Sequence, residues 1–233
     1  MKRLSIVIPA YNEERFIATL LERIRAVDLH PYGIDKEIIV VDDSSRDGTV
    51  AAVSRFPDVV VCRHERNSGK GRAVRTGVAR ATGDYVMIQD ADLEYDPQDY
   101  LPMVDALSSG RADVVYGSRY TKGFFGSKHA QQSWPAYVGG RSLSIAALAC
   151  TGRYLTDTVT ALKLFPRELL NELNLQTTGF ELDHEITSKV LARRRRIVEV
   201  PIQYFPRSRE EGKKIGAKDW LRGLRTFWTY RRG

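Results

Sequence analysis

The sequence predicts an α/β domain, a mostly parallel central sheet flanked by helices, and three observations carry that expectation. Short β-branched and apolar runs recur at residues 4–9, 36–41, 59–62, 84–88 and 113–119. The segments between them repeat apolar residues at helical spacing, the alternation expected of a parallel sheet. Acidic and glycine-rich stretches follow several of the runs, at the strand ends where open parallel sheets bind ligands.

The elements follow in order. Residues 4–9 form a first strand closed by Pro9. Phe16, Ile17, Leu20, Leu21, Ile24 and Val27 then share one face of a helix over 13–28, which Asn12 is placed to cap. The strand at 36–41 ends in Asp42-Asp43-Ser44-Ser45-Arg46-Asp47-Gly48-Thr49, a turn into a helix over 49–56. Asp42 reads there as functional and Asp47 as structural. The strand at 59–62 leads to Asn67-Ser68-Gly69-Lys70-Gly71, which has neither P-loop nor GxGxxG spacing. A helix with the small residues Ala73, Gly77 and Ala81 follows. Lys70 stands at its start, against the usual charge preference, and so hints at an anionic partner.

The strand at 84–88 delivers Asp90 and Asp92, one residue apart, to its carboxyl end. Hard oxygen ligands in Asp-x-Asp spacing suit a divalent cation that also holds a diphosphate. A polar turn of solvated acids is the plainer alternative for that pair alone. Pro97 opens a helix ending at Gly110, and the strand at 113–119 ends on Arg119. Residues 120–133 are basic and glycine-rich and read as a mobile loop. Residues 134–150 read as a helix interrupted at Gly139-Gly140, with Arg141 either a phosphate ligand or solvated. A strand or extended segment over 157–165, a short helix over 167–173 and a helix with Leu182, Ile186, Val190 and Leu191 on its buried side come next. A strand over 197–202, a basic tail and a helix over 219–232 finish the chain. That last helix places Trp220, Leu221, Leu224, Phe227 and Trp228 beside Arg222, Arg225, Arg231 and Arg232, a pattern that suits a membrane interface or core packing equally.

Composition narrows the classes. The 233 residues are 42% hydrophobic and 28% charged, ordinary for a globular protein. No apolar run approaches the roughly 20 residues that span a bilayer, and the start of the chain has no signal-like apolar stretch. Cys62 and Cys150 make no metal or redox motif. The net charge of +7 is uneven: residues 1–100 carry 14 basic and 17 acidic side chains, and the remainder 22 and 12. A basic later part beside an acidic site points to anionic ligands or an anionic membrane surface. No motif supports nucleic acid as a partner.

Together, Pro9-Ala10-Tyr11-Asn12-Glu13, the Asp42–Thr49 turn, Asn67-Ser68-Gly69-Lys70-Gly71, Asp90-Ala91-Asp92-Leu93-Glu94 and Gly117-Ser118-Arg119 resemble the family 2 glycosyltransferases of the GT-A fold. Asp157-x-x-Thr160-x-x-Lys163, Phe180-Glu181 with Glu185, and the 207–215 tail are similar to later motifs of its polyprenyl-phosphate sugar transferases, the dolichol-phosphate mannose synthase group. The resemblance covers almost the whole chain. It implies a single GT-A domain over 1–233, with a nucleotide-sugar-binding half (1–119), an acceptor-side half (120–205) and a basic tail loop with an amphipathic helix (206–233).

The resemblance also implies roles. Pro9, Tyr11 and Glu13 would contact the nucleotide, Val40 and Asp42 the base and ribose, and Lys70, Asp90 and Ala91 the donor. Asp90 and Asp92 would hold Mg²⁺ or Mn²⁺, with Glu94 completing the site. Arg119 would face the phosphates, with Arg207 (or Arg209) and Lys214 closing over the nucleotide. Asp92, Arg119 and Asp157 form the implied catalytic set. Lys122, Lys128 and Arg141 match an anionic acceptor. The expected reaction is inverting transfer of a hexose from GDP-mannose or UDP-glucose to a polyprenyl or dolichyl phosphate. A sugar-hydroxyl acceptor needs a general base, for which Asp157, Asp183 and Glu185 are the candidates; a lipid phosphate is already an anion and needs none. The implied location is cytoplasmic, peripheral at the cytoplasmic membrane face, attached directly or through a membrane-anchored partner subunit. The rival readings are a family 2 transferase that extends a saccharide, a transferase-like domain that only binds a nucleotide sugar, and a nucleotidyltransferase, whose glycine-rich signature after the first strand is absent.

Overall fold

A computed structural model describes residues 1–120, 134–206 and 217–232. The calls on Lys122, Lys128, Arg207, Arg209 and Lys214, and on the two basic loops, lie outside the described residues.

Seven strands form one sheet in the order β3-β2-β1-β4-β6-β5-β7. They are β1 (Lys2–Ala10), β2 (Ile34–Asp42), β3 (Val59–Arg63), β4 (Tyr85–Ile88), β5 (Val114–Ser118), β6 (Lys163–Pro166) and β7 (Ile197–Pro201). Alternate side chains of each strand face opposite layers, and both layers are covered, so the strands read as unbroken apolar runs. Ile6, Ile8, Ile38, Val40 and Met87 pack against α1 (Ile17–Ala26), α2 (Thr49–Val53) and α4 (Tyr100–Ser108). Val7, Ile39, Val41, Val86 and Phe165 pack against α3 (Lys70–Arg80), α6 (Arg167–Glu172) and α7 (Leu182–Ala192). A smaller cluster, Leu143, Ala147 and Phe227, joins α5 (Trp134–Thr151) to α8 (Ala217–Thr229).

Helix α3 lies close to the sheet because of Gly77. A Cβ there would come within 2.3 Å of Val7 Cγ1, nearer than carbon atoms approach.

Three expectations change on contact with the structure. Asn12 does not cap α1: it sits in the left-handed region at φ 57°, its Oδ1 accepts from Arg46 N, and the helix starts only at Ile17. Helix α5 runs unbroken through Gly139 and Gly140, which tertiary packing tolerates despite their low helix propensity. Of residues 157–165, only 163–165 join a strand. That strand, β6, runs antiparallel to both β4 and β5 and is the reversed member of an otherwise parallel sheet.

Candidate active site

The site lies where the strand order reverses direction between β1 and β4. Turns leaving the carboxyl ends of β1, β2, β4 and β5 meet there, joined by the segment that enters β6, whose amino end points the same way because the strand is reversed.

The turn after β2 is fixed by its acids. Asp42, only 1% exposed, accepts from Ser45 N through both oxygens (3.2 and 3.3 Å) and pairs with Arg63 Nε at 3.4 Å. Asp47 accepts from Thr49 N at 3.0 Å and from Glu14 N at 3.2 Å, a structural role as expected. Sequence reasoning passed over Asp43. Its carboxylate accepts from Ser68 N (2.9 Å) and Gly69 N (2.7 Å) and meets His64 Nδ1 at 2.7 Å. One buried acid thus ties the turn after β2 to the loop that opens α3. The signal available was the doubled Asp42-Asp43 at a strand end, where alternation sends the two side chains to different sides.

That loop needs its glycines. Gly69 has φ 91°, and a Cβ on it would lie 2.4 Å from Thr178 O. A Cβ on Gly71 would lie 2.7 Å from Thr177 O. The 176–179 segment is held in turn by Glu185, which accepts from Gln176 N (2.9 Å) and Thr177 N (2.8 Å) and pairs with Lys189 at 2.6 Å.

Lys70 has an anionic partner within the chain. Its ammonium lies 2.7 Å from Asp90 Oδ1 and 3.6 Å from Asp183 Oδ2, and Asp183 Oδ1 lies 2.6 Å from Lys163 Nζ. A ladder of alternating charge therefore runs inward from the end of β4. Burial works against the Lys70 charge, but Asp90 and Asp183 raise its pKa above the ordinary lysine value. Burial pushes the Asp183 carboxyl up, yet Lys163 and Lys70 hold it below the usual range. For Lys163, fully buried, burial prevails over Asp183 and draws the pKa down.

Arg119 is gripped on one edge and on its faces. Asp157 accepts from its Nε (2.6 Å), its Nη2 (2.8 Å) and its backbone N (3.2 Å). The guanidinium stacks over Tyr204 at 4.8 Å and Tyr120 at 5.3 Å. Burial works against its charge and Asp157 restores it, so the group stays a cation. Such a bidentate pair leaves the Nη1 hydrogens and one on Nη2 for other acceptors; Tyr204 also bonds to this guanidinium.

The remaining candidates are placed as follows. Glu13 is buried beside Thr49, whose Oγ1 accepts from Glu13 N at 2.8 Å. Pro9 and Tyr11 are partly exposed at the end of β1. Val40 is 0% exposed between β1 and β3, and Ala91 is also in the core. Arg141 is committed to Thr156 O (2.8 Å) and to the Tyr154 hydroxyl.

For a metal, the donor set is two aspartates. Asp90 shares Oδ1 with Lys70, and Asp92 Oδ1 accepts from Glu94 N at 3.2 Å. Glu94 is hydrogen-bonded to Tyr204. Among the described residues, no three His, Cys, Asp or Glu side chains converge as a cage. All-oxygen donors in this number fit Mg²⁺ or Mn²⁺ held by one or two carboxylates, with diphosphate and water as the remaining ligands.

The sequence matches Glycosyl transferase family 2 over residues 5–174. It is 31% identical over 222 residues to a dolichol-phosphate mannosyltransferase of Pyrococcus furiosus, covering 92% of this chain and 60% of that protein. It is 29% identical over 178 residues to an undecaprenyl-phosphate 4-deoxy-4-formamido-L-arabinose transferase of Aeromonas hydrophila, covering 74% and 52%. The chain thus spans between half and two thirds of these curated relatives. Glucosyl-3-phosphoglycerate synthase from Mycobacterium tuberculosis, solved with Mn²⁺, UDP-glucose and phosphoglyceric acid, superposes with a TM-score of 0.72 at 22% identity, covering 99% and 80%. A strand-end site on a GT-A sheet and a family match over most of the sequence agree: the chain belongs to glycosyl transferase family 2.

Proposed function

We propose that this chain moves a hexose, mannose or glucose, from a nucleotide-diphosphate sugar to a polyprenyl or dolichyl phosphate, with inversion at the anomeric carbon. One observation carries the reading: the three acids weighed as general bases are each engaged by a cation. Asp157 gives both oxygens to Arg119, Asp183 lies between Lys163 and Lys70, and Glu185 is paired with Lys189. A saccharide hydroxyl needs a base, whereas a phosphate attacks as the anion it already is. The names of the Pyrococcus and Aeromonas relatives point to the same acceptor class.

In this reading Tyr11, Glu13 and Asp42 border the nucleotide, and Asp90 and Asp92 hold Mg²⁺ or Mn²⁺ beside the donor diphosphate. Such an ion neutralises charge on the leaving diphosphate. Lys70, 2.7 Å from Asp90 Oδ1, holds that side chain in place. Arg119, locked by Asp157, offers its remaining N–H groups to a phosphate without needing to reorganise. Lys122, Lys128, Arg207 and Lys214 remain the proposed phosphate ligands of the two basic loops.

The membrane approach is assigned to α8 with α5. Leu221 and Trp228 on α8 and Trp134, Val138 and Ile145 on α5 are exposed, fringed by Arg222, Arg225 and Arg231. Among the described residues no helix is long and apolar enough to cross a membrane. Contact with the cytoplasmic membrane face is direct in this reading, or made through a membrane-anchored subunit.

The test is transfer of label from GDP-mannose or UDP-glucose into organic-extractable lipid, with polyprenyl phosphate and Mn²⁺ or Mg²⁺. The label is expected to need the metal and to vanish with EDTA or Asp92→Ala. Label in a saccharide but not in lipid would refute the acceptor. Nucleotide binding with no transfer to any acceptor would refute the chemistry proposed here.

A further inference from the structure

The acid Glu199, on β7, touches none of the groups proposed to meet substrate, yet it fixes the one pair on which the proposed acceptor chemistry turns. It stands opposite Tyr116 in the β5–β7 register. Its carboxylate accepts from Thr156 N (2.7 Å), Thr156 Oγ1 (2.7 Å) and Asp157 N (2.8 Å). The Thr156 hydroxyl also meets Ser118 Oγ at 2.6 Å, and Ser118 Oγ accepts from Tyr120 N at 3.1 Å. The residues on both sides of Arg119, and both residues that end in Asp157, are therefore bound into one network with Glu199 at its centre.

A carboxylate held beside the Asp157 carboxylate is unfavourable unless hydrogen-bond donors satisfy it. What a carboxylate adds is geometry. It has two oxygens and no proton, so it can accept from two consecutive backbone N–H groups and a hydroxyl at once. That fixes the backbone from which Asp157 reaches Arg119, and a misplacement of about 1 Å at such a group can lower rate by about 100-fold.

We propose that Glu199 is a positioning residue for Arg119, acting through Asp157, so that the guanidinium is held ready for phosphate before substrate binds. Its effect on rate rests on the reading that Arg119 meets a phosphate; its effect on Arg119 geometry does not.

The test therefore has two arms, both on the full chain. The first follows hydrogen exchange of the Arg119 Nε–H by ¹⁵N NMR, assigned by its disappearance in Arg119→Lys. In Glu199→Gln, whose amide turns a donor toward N–H groups, exchange is expected to quicken at least tenfold. Glu199→Asp, which keeps both oxygens, is expected to fall between that variant and the parent. The second arm measures transfer: kcat is expected to fall at least tenfold in Glu199→Gln while the donor KM stays within about threefold. Unchanged exchange in a folded Glu199→Gln overturns the proposal, and so does faster exchange with unchanged kcat. If that variant does not fold, Thr156→Val takes its place. It removes the hydroxyl shared by Glu199 and Ser118 and is expected to quicken exchange severalfold; no change there also overturns the proposal. A parent protein inactive with every donor and acceptor would refute the proposed function alone, and the exchange arm would still decide the role of Glu199.

Discussion

The ammonium of Lys70 stands 2.7 Å from Asp90 Oδ1, at the carboxyl end of β4. Behind it, Asp183 and then Lys163 continue the alternation of charge into the core. Removing one member leaves its neighbours buried and poorly compensated, which typically destabilises by about 3–5 kcal/mol. Lys163→Met is expected to show that loss in urea unfolding. Lys70→Met, nearer the surface, is expected to lose less stability but to abolish measurable transfer. A Lys163→Met protein as stable as its parent would contradict the ladder.

Asp99 predicts a pH dependence. Its carboxyl accepts from Gln203 N at 2.8 Å, and burial pushes its pKa up from 3.8 to about 6. Between those values the folded chain keeps a proton that the unfolded chain has released. Stability from this group is therefore greatest below pH 3.8, falls as pH rises to about 6, and is level above that. Asp99→Asn, which retains an oxygen for Gln203 N, is expected to be more stable than the parent at pH 7.5, with the difference shrinking at pH 4. Urea midpoints at both values check this, and an equal difference at both would count against it.

Gly69→Ala and Gly71→Ala are expected to push the α3 loop off the 176–179 segment, since each added Cβ meets backbone under 3.0 Å away. Each should destabilise by about 2 kcal/mol or more and weaken nucleotide binding. Gly110→Ala is the control, because its φ is also positive, at 71°, but nothing lies within 4 Å of the new Cβ. Its loss should stay near about 1 kcal/mol, with nucleotide titration unaffected.

Leu221→Ser with Trp228→Ser should leave the melting temperature within a few degrees, because both side chains are largely exposed, at 59% and 62%. The double variant should lose co-sedimentation with anionic vesicles. Retained sedimentation at low salt would move the membrane contact to another surface.

Much of the sheet could be read directly, because strands buried on both faces announce themselves as apolar runs. The reversed strand could not. Asp157-Thr158-Val159-Thr160-Ala161 has the composition of a strand, but it is irregular, with Asp157 bound to Arg119, and no local pattern encodes strand direction. Lys70 at the start of α3 reads as a cation in want of an anion, and the structure supplies Asp90 from within the chain. Asp43 was not legible beside Asp42, because its partners, Ser68 N and Gly69 N, come from 25 and 26 residues away. The surroundings of Val40 and Asp157 were not legible from motif: the side chain of one is buried in the core, and both oxygens of the other meet Arg119.

The reversed strand also constrains when the protein can assemble. Among the described residues β5 pairs with β6 and β7, and β6 is the bridge between β5 and β4. A growing chain can therefore zip β1, β2, β3 and β4 together early, but β5 has no strand to join until residues 163–166 have been made. Until then β4 presents an open edge, the kind of surface that invites pairing with another chain. Sheet closure waits on contacts distant in sequence, which slows folding. Release of the chain before β6 would leave a sticky, half-built sheet instead of a smaller working unit.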